Sequence, residues 1–276
     1  MKLIQCILTD NDCFKTKRAI KPKGVMVHST GADNPTLRRY VQPVKGGDGD
    51  YATLMAQLGR NKNGNHWNRP GLDVCVHGFI GQLADGSVAS VQTLPWTHRG
   101  WHAGTGTSGG SANNTHISFE ICEDGLADPA YFKLVYREAV ELTAHLCKSC
   151  GLDPLADGVV ICHSEGYRRG VASGHADVEH WFPRHGKSMD DFRADVAAEL
   201  APKPEPEPDP GPKPDPEEDD EMKYYKTLDE VPEYYRPTVE KLVEAGALRG
   251  TAEDVLNVSE EFCRTMTVLD RLGKLD

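Results

Sequence analysis

The sequence predicts an α/β domain, with a mixed central β-sheet flanked by helices, followed by a Pro-rich linker and a small helical C-terminal unit. Three observations predict it. Over residues 1–201, short β-branched runs alternate with stretches of helical period. Residues 202–221, PKPEPEPDPGPKPDPEEDDE, alternate proline with acid, a pattern that excludes helix and sheet interior and is extended by charge repulsion. Apolar residues at helical spacing then return over 222–276. The expected boundaries are therefore 1–201, 202–221 and 222–276.

The first strand is GVMVHST (24–30), apolar and β-branched up to a Ser/Thr pair. DVCVHGFIG (73–81) runs into QLADGSVASV, a strand–turn–strand with Asp85-Gly86 as the turn signal. HISFEICE (116–123) alternates residue by residue. Then Phe132, Val135, Ala139, Leu142 and Leu146 recur at helical spacing in a segment that ends at Gly151. VVIC (159–162) reads as a short buried strand, and SMDDFRADVAAEL as an amphipathic helix capped by Ser188. In the tail, two short helices flank a Gly-containing turn, and Val239, Leu242 and Val243 share one face of the first. A unit of this size is marginal as a core of its own, so it is expected to bind something or to pair with a copy of itself.

The net charge of −11 argues against a general nucleic-acid binder. Most of that charge is in the linker, where nine acids meet two lysines, while residues 1–201 hold 21 basic and 22 acidic side chains. No run of about 18 apolar residues suggests a membrane span, and MKLIQCILTD has no secretory pattern. The expectation is a chain made in the cytoplasm without a signal peptide. Of eight cysteines, Cys6, Cys75, Cys122 and Cys162 lie in apolar runs and read as small buried hydrophobes. Cys147 and Cys150 form a lone CxxC with no second pair nearby, which favours a structural role over a zinc knuckle.

Four of the eleven histidines crowd into residues 159–185: His163, His175, His180 and His185. His28 ends one apolar strand and His163 ends another, and Asp177 follows in the same His-rich loop. Two imidazoles and a carboxylate are a zinc ligand set with a fourth position free for water, the pattern of a catalytic site. Read from spacing alone, the two histidines are equally compatible with ordinary buried residues in separate places.

The segments GVMVHSTG, HGFIGQLADGSV, GWHAGTG, NNTHISFEICED and ICHSEGYRRG…HADVEHWF, in this order, resemble type 2 zinc N-acetylmuramoyl-L-alanine amidases. Phage endolysins, some autolysins and the peptidoglycan recognition proteins share that family. The resemblance spans about residues 20–200. It implies a Zn²⁺ held by His28, His163 and Asp177, and Glu120 as general base. It also implies His175 where the family usually has a Lys, so a cation present only when the ring is protonated replaces a permanent one. The branch that uses a Tyr before the His of the HGFIG strand is excluded here, because that position is Val76. By resemblance His102 lines the substrate groove, with Trp101 and Asn114 as further substrate contacts. The segment NGNHWNRPG (63–71) suits a saccharide or peptide rim, or is simply a loop.

The implied activity is hydrolysis of the amide between N-acetylmuramic acid and L-alanine in bacterial peptidoglycan. The implied setting is a phage or prophage endolysin that reaches the wall after release, with the tail as wall anchor or self-association unit. A non-catalytic peptidoglycan-binding module on the same fold, and a sporulation or autolysis amidase, are the alternatives. His180 and His185 have no counterpart in the family and read as surface or supporting residues.

Overall fold

In the computed structural model, residues 1–108, 110–201, 223–250 and 255–275 are described. The linker expected at 202–221 lies outside them. The chain divides into two compact units, Met1–Lys203 and Pro204–Asp276.

The first unit runs β1 (Leu3–Gln5), α1 (Asp12–Lys15), β2 (Gly24–Asp33), α2 (Tyr51–Leu58), β3 (Gly78–Gln82), β4 (Val88–Gln92), β5 (His116–Glu123), α3 (Pro129–Cys150), β6 (Val160–Cys162), α4 (His163–Arg168) and α5 (Met189–Leu200). Its strands form one sheet in the order β1-β4-β3-β5-β2-β6. Only the β3–β4 hairpin is antiparallel, so the sheet is mixed, as the sequence predicts. The hairpin turns where expected, with Gly86 at φ +83° and Asp85 Oδ1 accepting from the Ser87 backbone and hydroxyl.

Period-two alternation decides what each face of the sheet meets. On β2 and β5, Val25, Val27, Ile117, Phe119 and Ile121 point into the main core, which also holds Phe132, Val135, Leu142, Trp181 and Phe192 from α3, α5 and the loop between them. The intervening Met26 faces a smaller cluster with Ala103, Ala112 and Ile161. Both faces are covered, which is why these strands read as nearly continuous apolar runs. α3 starts at Asp128, whose carboxylate accepts from the Ala130 and Tyr131 amides, and ends at Gly151 in the left-handed region. Ser188 caps α5 in a reciprocal box with Asp191.

Some elements differ from the sequence reading. The strand expected from residue 73 begins only at Gly78. Upstream, Cys75 forms a single bridge to Trp101, which ties the loop before β3 to the Trp101 loop. β1, α2 and α4 were not foreseen because each is too short to establish a period. All eight cysteines are free.

The second unit holds β7 (Tyr224–Tyr225), α6 (Arg236–Glu244), β8 (Val258–Ser259) and α7 (Glu260–Arg271), with β7 and β8 antiparallel. Its core gathers Tyr225, Val231, Val239, Val258 and Cys263. On the Val239–Leu242–Val243 face, Val239 is buried, Leu242 half-buried and Val243 exposed, and Val239 packs with Tyr225 and Val258 from the β7–β8 pair and with Val231.

Candidate metal centre

Sheet register assembles the site. His28 on β2 lies directly opposite Glu120 on β5, and Val27 lies opposite Cys162 on β6. The residues that follow are therefore His28, midway along β2, and His163, just past the carboxyl end of β6, side by side; open α/β sheets place their ligands beyond the carboxyl ends of their strands. His163 opens α4, whose first turn is fixed by Glu165 accepting from the Cys162 amide at 3.1 Å and pairing with Arg193.

Asp177 comes from the loop after α4 and sits at φ +38°, a conformation that Asp tolerates better than most residues. Neighbouring contacts hold it there. His180 Nε2 lies 3.0 Å from Glu123 Oε1 at the end of β5, and the same oxygen accepts from the Gly31 amide at 3.1 Å. Arg168 grips Glu179 through two hydrogen bonds. His180 is thus a clamp that fastens the Asp177 turn to the sheet. His185 instead stacks on Phe132, with ring centroids 4.1 Å apart.

The result is a tight convergence. Asp177 Oδ2 is 2.8 Å from His28 Nδ1 and 2.9 Å from His163 Nδ1, and the two Nδ1 atoms are 3.2 Å apart. Zinc bonds of about 2.0–2.1 Å at tetrahedral angles would separate ligand atoms by about 3.3 Å, so the donor set fits a zinc ion with little movement. Both histidines are buried. The outer nitrogen of each ring is also engaged, as metal-ligating imidazoles require. His28 Nε2 meets His102 Nδ1 at 3.1 Å, and His163 Nε2 meets Ser173 Oγ at 3.3 Å.

Electrostatics follow from burial and neighbours. Burial lowers the His28 pKa against the pull of the Asp177 carboxylate, so the ring is held in the neutral form that can ligate. Burial alone would raise Asp177, but hydrogen bonds from His163 and His28 outweigh it and keep the carboxyl well below its usual range. Burial pushes Glu120 up, and the nearby Asp177 and Glu123 charges add to that. Glu120 Oε2 is buried with no hydrogen-bond partner, so one oxygen of this carboxylate is uncommitted.

His28, Glu120, His163 and Asp177 open onto one cleft of ≈ 460 Å³, whose walls include Trp67, Val76, Trp101, His102, Ser173 and His175. The His175 ring packs against that of His163, with centroids 4.6 Å apart, and its Nδ1 lies 3.2 Å from Ser173 Oγ. His102 lines the cleft while also bracing His28. Asn114 is not among the cleft-lining residues. Its Oδ1 accepts from Arg99 Nε at 2.7 Å, and the Arg99 guanidinium lies over the Trp101 ring, so its link to the cleft runs through Trp101. Its neighbour Asn113 is buried and fixes the loop, accepting from the His102 and Ala103 amides at 2.7 and 2.9 Å. The NGNHWNRPG segment contributes Trp67 to the wall. Sequence reasoning missed Ser173 and Glu123; for Ser173 a signal was available, a hydroxyl two residues before His175 in the His-rich loop.

The cleft is floored by three donors, His28, His163 and Asp177, that could hold a metal ion, set in the sheet of an α/β domain. The family model described as N-acetylmuramoyl-L-alanine amidase matches residues 18–184, more than half of the chain, and the protein belongs to that family. No curated protein matches it. Among solved structures, the chain is similar to the Staphylococcus aureus hydrolase AmiA in complex with its ligand (21% identity, 72% of this chain and 83% of that one, TM-score 0.48). It is similar also to the catalytic domain of XlyA (21%, 71% and 99%, 0.44) and to PlyL (19%, 71% and 96%, 0.44).

Proposed function

We propose that this peptidoglycan amidase hydrolyses the amide between the lactyl group of N-acetylmuramic acid and L-alanine, with Zn²⁺ held by His28, His163 and Asp177. The observation that carries the reading is one cleft in which the converged His28–His163–Asp177 donors and the uncommitted Glu120 oxygen meet. When bound, zinc supplies a water of lowered pKa and polarises the carbonyl.

The residues of the chain supply the proton traffic and the positioning. Glu120 takes a proton from the water as its oxygen attacks the carbonyl carbon. It returns that proton to the alanine nitrogen as the C–N bond breaks, leaving a lactyl carboxylate and a free amine. His175, on the cleft wall beside His163, donates an N–H to the developing oxyanion. His102 and Ser173 keep the His28 and His163 rings oriented. Trp101 and Trp67 flank the entrance as apolar surfaces for sugar or peptide.

The alternative of a non-catalytic binding module gains nothing from this site, because every ligand position is filled and the base faces the cleft. The two-unit layout supports an endolysin-type lysis enzyme, made in the cell and acting on the wall after release. In it residues 1–201 are catalytic, and 222–276 hold the enzyme on the wall or pair it with a second copy. A tethered unit raises effective concentration on an insoluble polymer. The test is to incubate the purified chain with peptidoglycan, identify products by mass spectrometry and measure bound metal. New lactyl carboxylates with free L-alanine amines and about one zinc per chain are expected. Products cut elsewhere, or retention of full activity after chelation, would refute the reading.

A further inference from the structure

Of the three metal-side donors, Asp177 has the weakest local support. His28 lies within β2 and His163 opens α4. Asp177 starts a single 3₁₀ turn, Asp177–His180, and residues 174–176 before it are exposed. Its φ of +38° is sparsely populated for a residue with a Cβ, and such a conformation persists only where the surroundings over-determine it. The support comes from the residues that follow it. Val178 and Trp181 are buried in the main core, which sets how deeply the turn sits. Apolar packing is non-directional, so the orientation of the turn is left to polar contacts. Arg168 and Glu179 pair at the surface, both exposed, and exposed pairs contribute little. The directional contact that reaches the sheet is His180 Nε2 to Glu123 Oε1 at 3.0 Å, with the Glu123 side chain only 5% exposed.

Glu123 is itself seated by the sheet. β2 and β5 pair in register as far as Ser29–Ile121 and again at Asp33–Glu123, with a shift between. Such a shift leaves a backbone group without a ladder partner. Here the Gly31 amide donates to Glu123 Oε1 at 3.1 Å. The Glu123 amide donates to Thr30 Oγ1 at 3.2 Å, and its carbonyl accepts from the Asn34 amide at 2.8 Å. Side chain, amide and carbonyl of one residue are all engaged by residues 30–34, so the carboxylate offers His180 an oxygen in a fixed place.

We propose that Glu123 and His180 are positioning residues for the metal: their hydrogen bond holds the Asp177 carboxylate at His28 and His163 and so sets metal affinity, although neither is among the three donors. The proposal rests on the zinc reading above. Folding orders the turn through this bond, so the metal meets a preformed third donor. Without the bond, metal binding must itself order Asp177 against its unfavourable φ, and affinity falls.

The test measures zinc affinity of the full chain by competition with chelators, and records the visible spectrum of the Co²⁺-loaded protein, whose bands report ligand number and geometry. His180→Ala is expected to bind zinc roughly 10–100-fold more weakly and to alter the Co²⁺ bands. His180→Phe, which keeps a ring but has no N–H, should do the same and serves if the alanine variant folds poorly. His180→Gln, whose amide can donate to Glu123 from about the same place, should recover the wild-type spectrum and most of the affinity. In an Asp177→Ala background, His180→Ala should cost nothing further, because the bond acts through Asp177. Wild-type affinity in both His180→Ala and His180→Phe, or no recovery in His180→Gln, would overturn the proposal. An equal loss in the Asp177→Ala background would also overturn it, by showing that His180 acts on the fold and not on the third ligand. If Asp177→Ala alone binds zinc as the wild type does, the ligand reading fails and the positioning role with it. If Asp177→Ala is weakened and the His180 variants are not, the positioning role alone fails.

Discussion

Replacing Ser173 with Ala tests whether the His28–His163–Asp177 cluster is a metal centre or only a buried polar network. Ser173 Oγ sits among three partners: His163 Nε2 at 3.3 Å, His175 Nδ1 at 3.2 Å and the Ala103 carbonyl at 3.4 Å. All three contacts are at the long end of hydrogen bonding, and the residue is only half-buried. A neutral bond of this kind contributes about 0.5–1.5 kcal/mol, and loss of a group behind a ligating His typically costs 10–100-fold in metal affinity. The long distances place Ser173→Ala near the lower bound, about tenfold weaker zinc binding. The assay is competition with a chelator of known affinity, using wild type and variant of matched fold as judged by urea unfolding of the metal-free proteins. Zinc affinity within twofold of wild type would refute the reasoning, because His163 would then need no partner behind it to stay aligned.

Three further outcomes follow from the same structure. Glu120→Gln should retain zinc and lose about 10²–10⁴ in turnover on muropeptide, the usual contribution of a general base; a loss below tenfold would remove it from that role. His77 is buried, donates from Nε2 to the His98 carbonyl at 2.7 Å and accepts at Nδ1 from the Ser118 amide at 3.0 Å, and burial lowers its pKa to about 4. The unfolded chain therefore binds the extra proton first, so stability that is complete above about pH 6.5 is lost as pH falls towards 4, by about 3 kcal/mol at pH 4 for this residue. In His77→Gln the fall in unfolding free energy between pH 7.5 and 4 should be smaller by that amount, and parallel curves for the two proteins would sink the assignment. Gly106→Ala should destabilise the first unit by about 1–3 kcal/mol in urea unfolding, since a Cβ there would overlap the Gly170 carbonyl oxygen; a neutral effect would mean the two loops separate freely.

The sequence by itself determined what depends on neighbours along the chain. The alternation of HISFEICE, the helical spacing of α3, its stop at Gly151 and the Ser188 cap are local patterns, and each element stands where that pattern puts it. That His163 follows a short strand was legible for the same reason, whereas His28, expected at the end of its strand, lies in the middle of β2, which runs on to Asp33. Tertiary structure decided what depends on which segments become neighbours. The β1–β4 pairing of a three-residue strand, the Glu123–His180 clamp across 57 residues and the Ser173 contact behind His163 have no signature of period or turn. The second unit shows the limit from the other side: Val239 and Val243 share a helical face in sequence, yet only Val239 is buried. A periodic pattern says which side chains point the same way; only the packed chain decides how much of that side is covered and which distant polar atoms meet there.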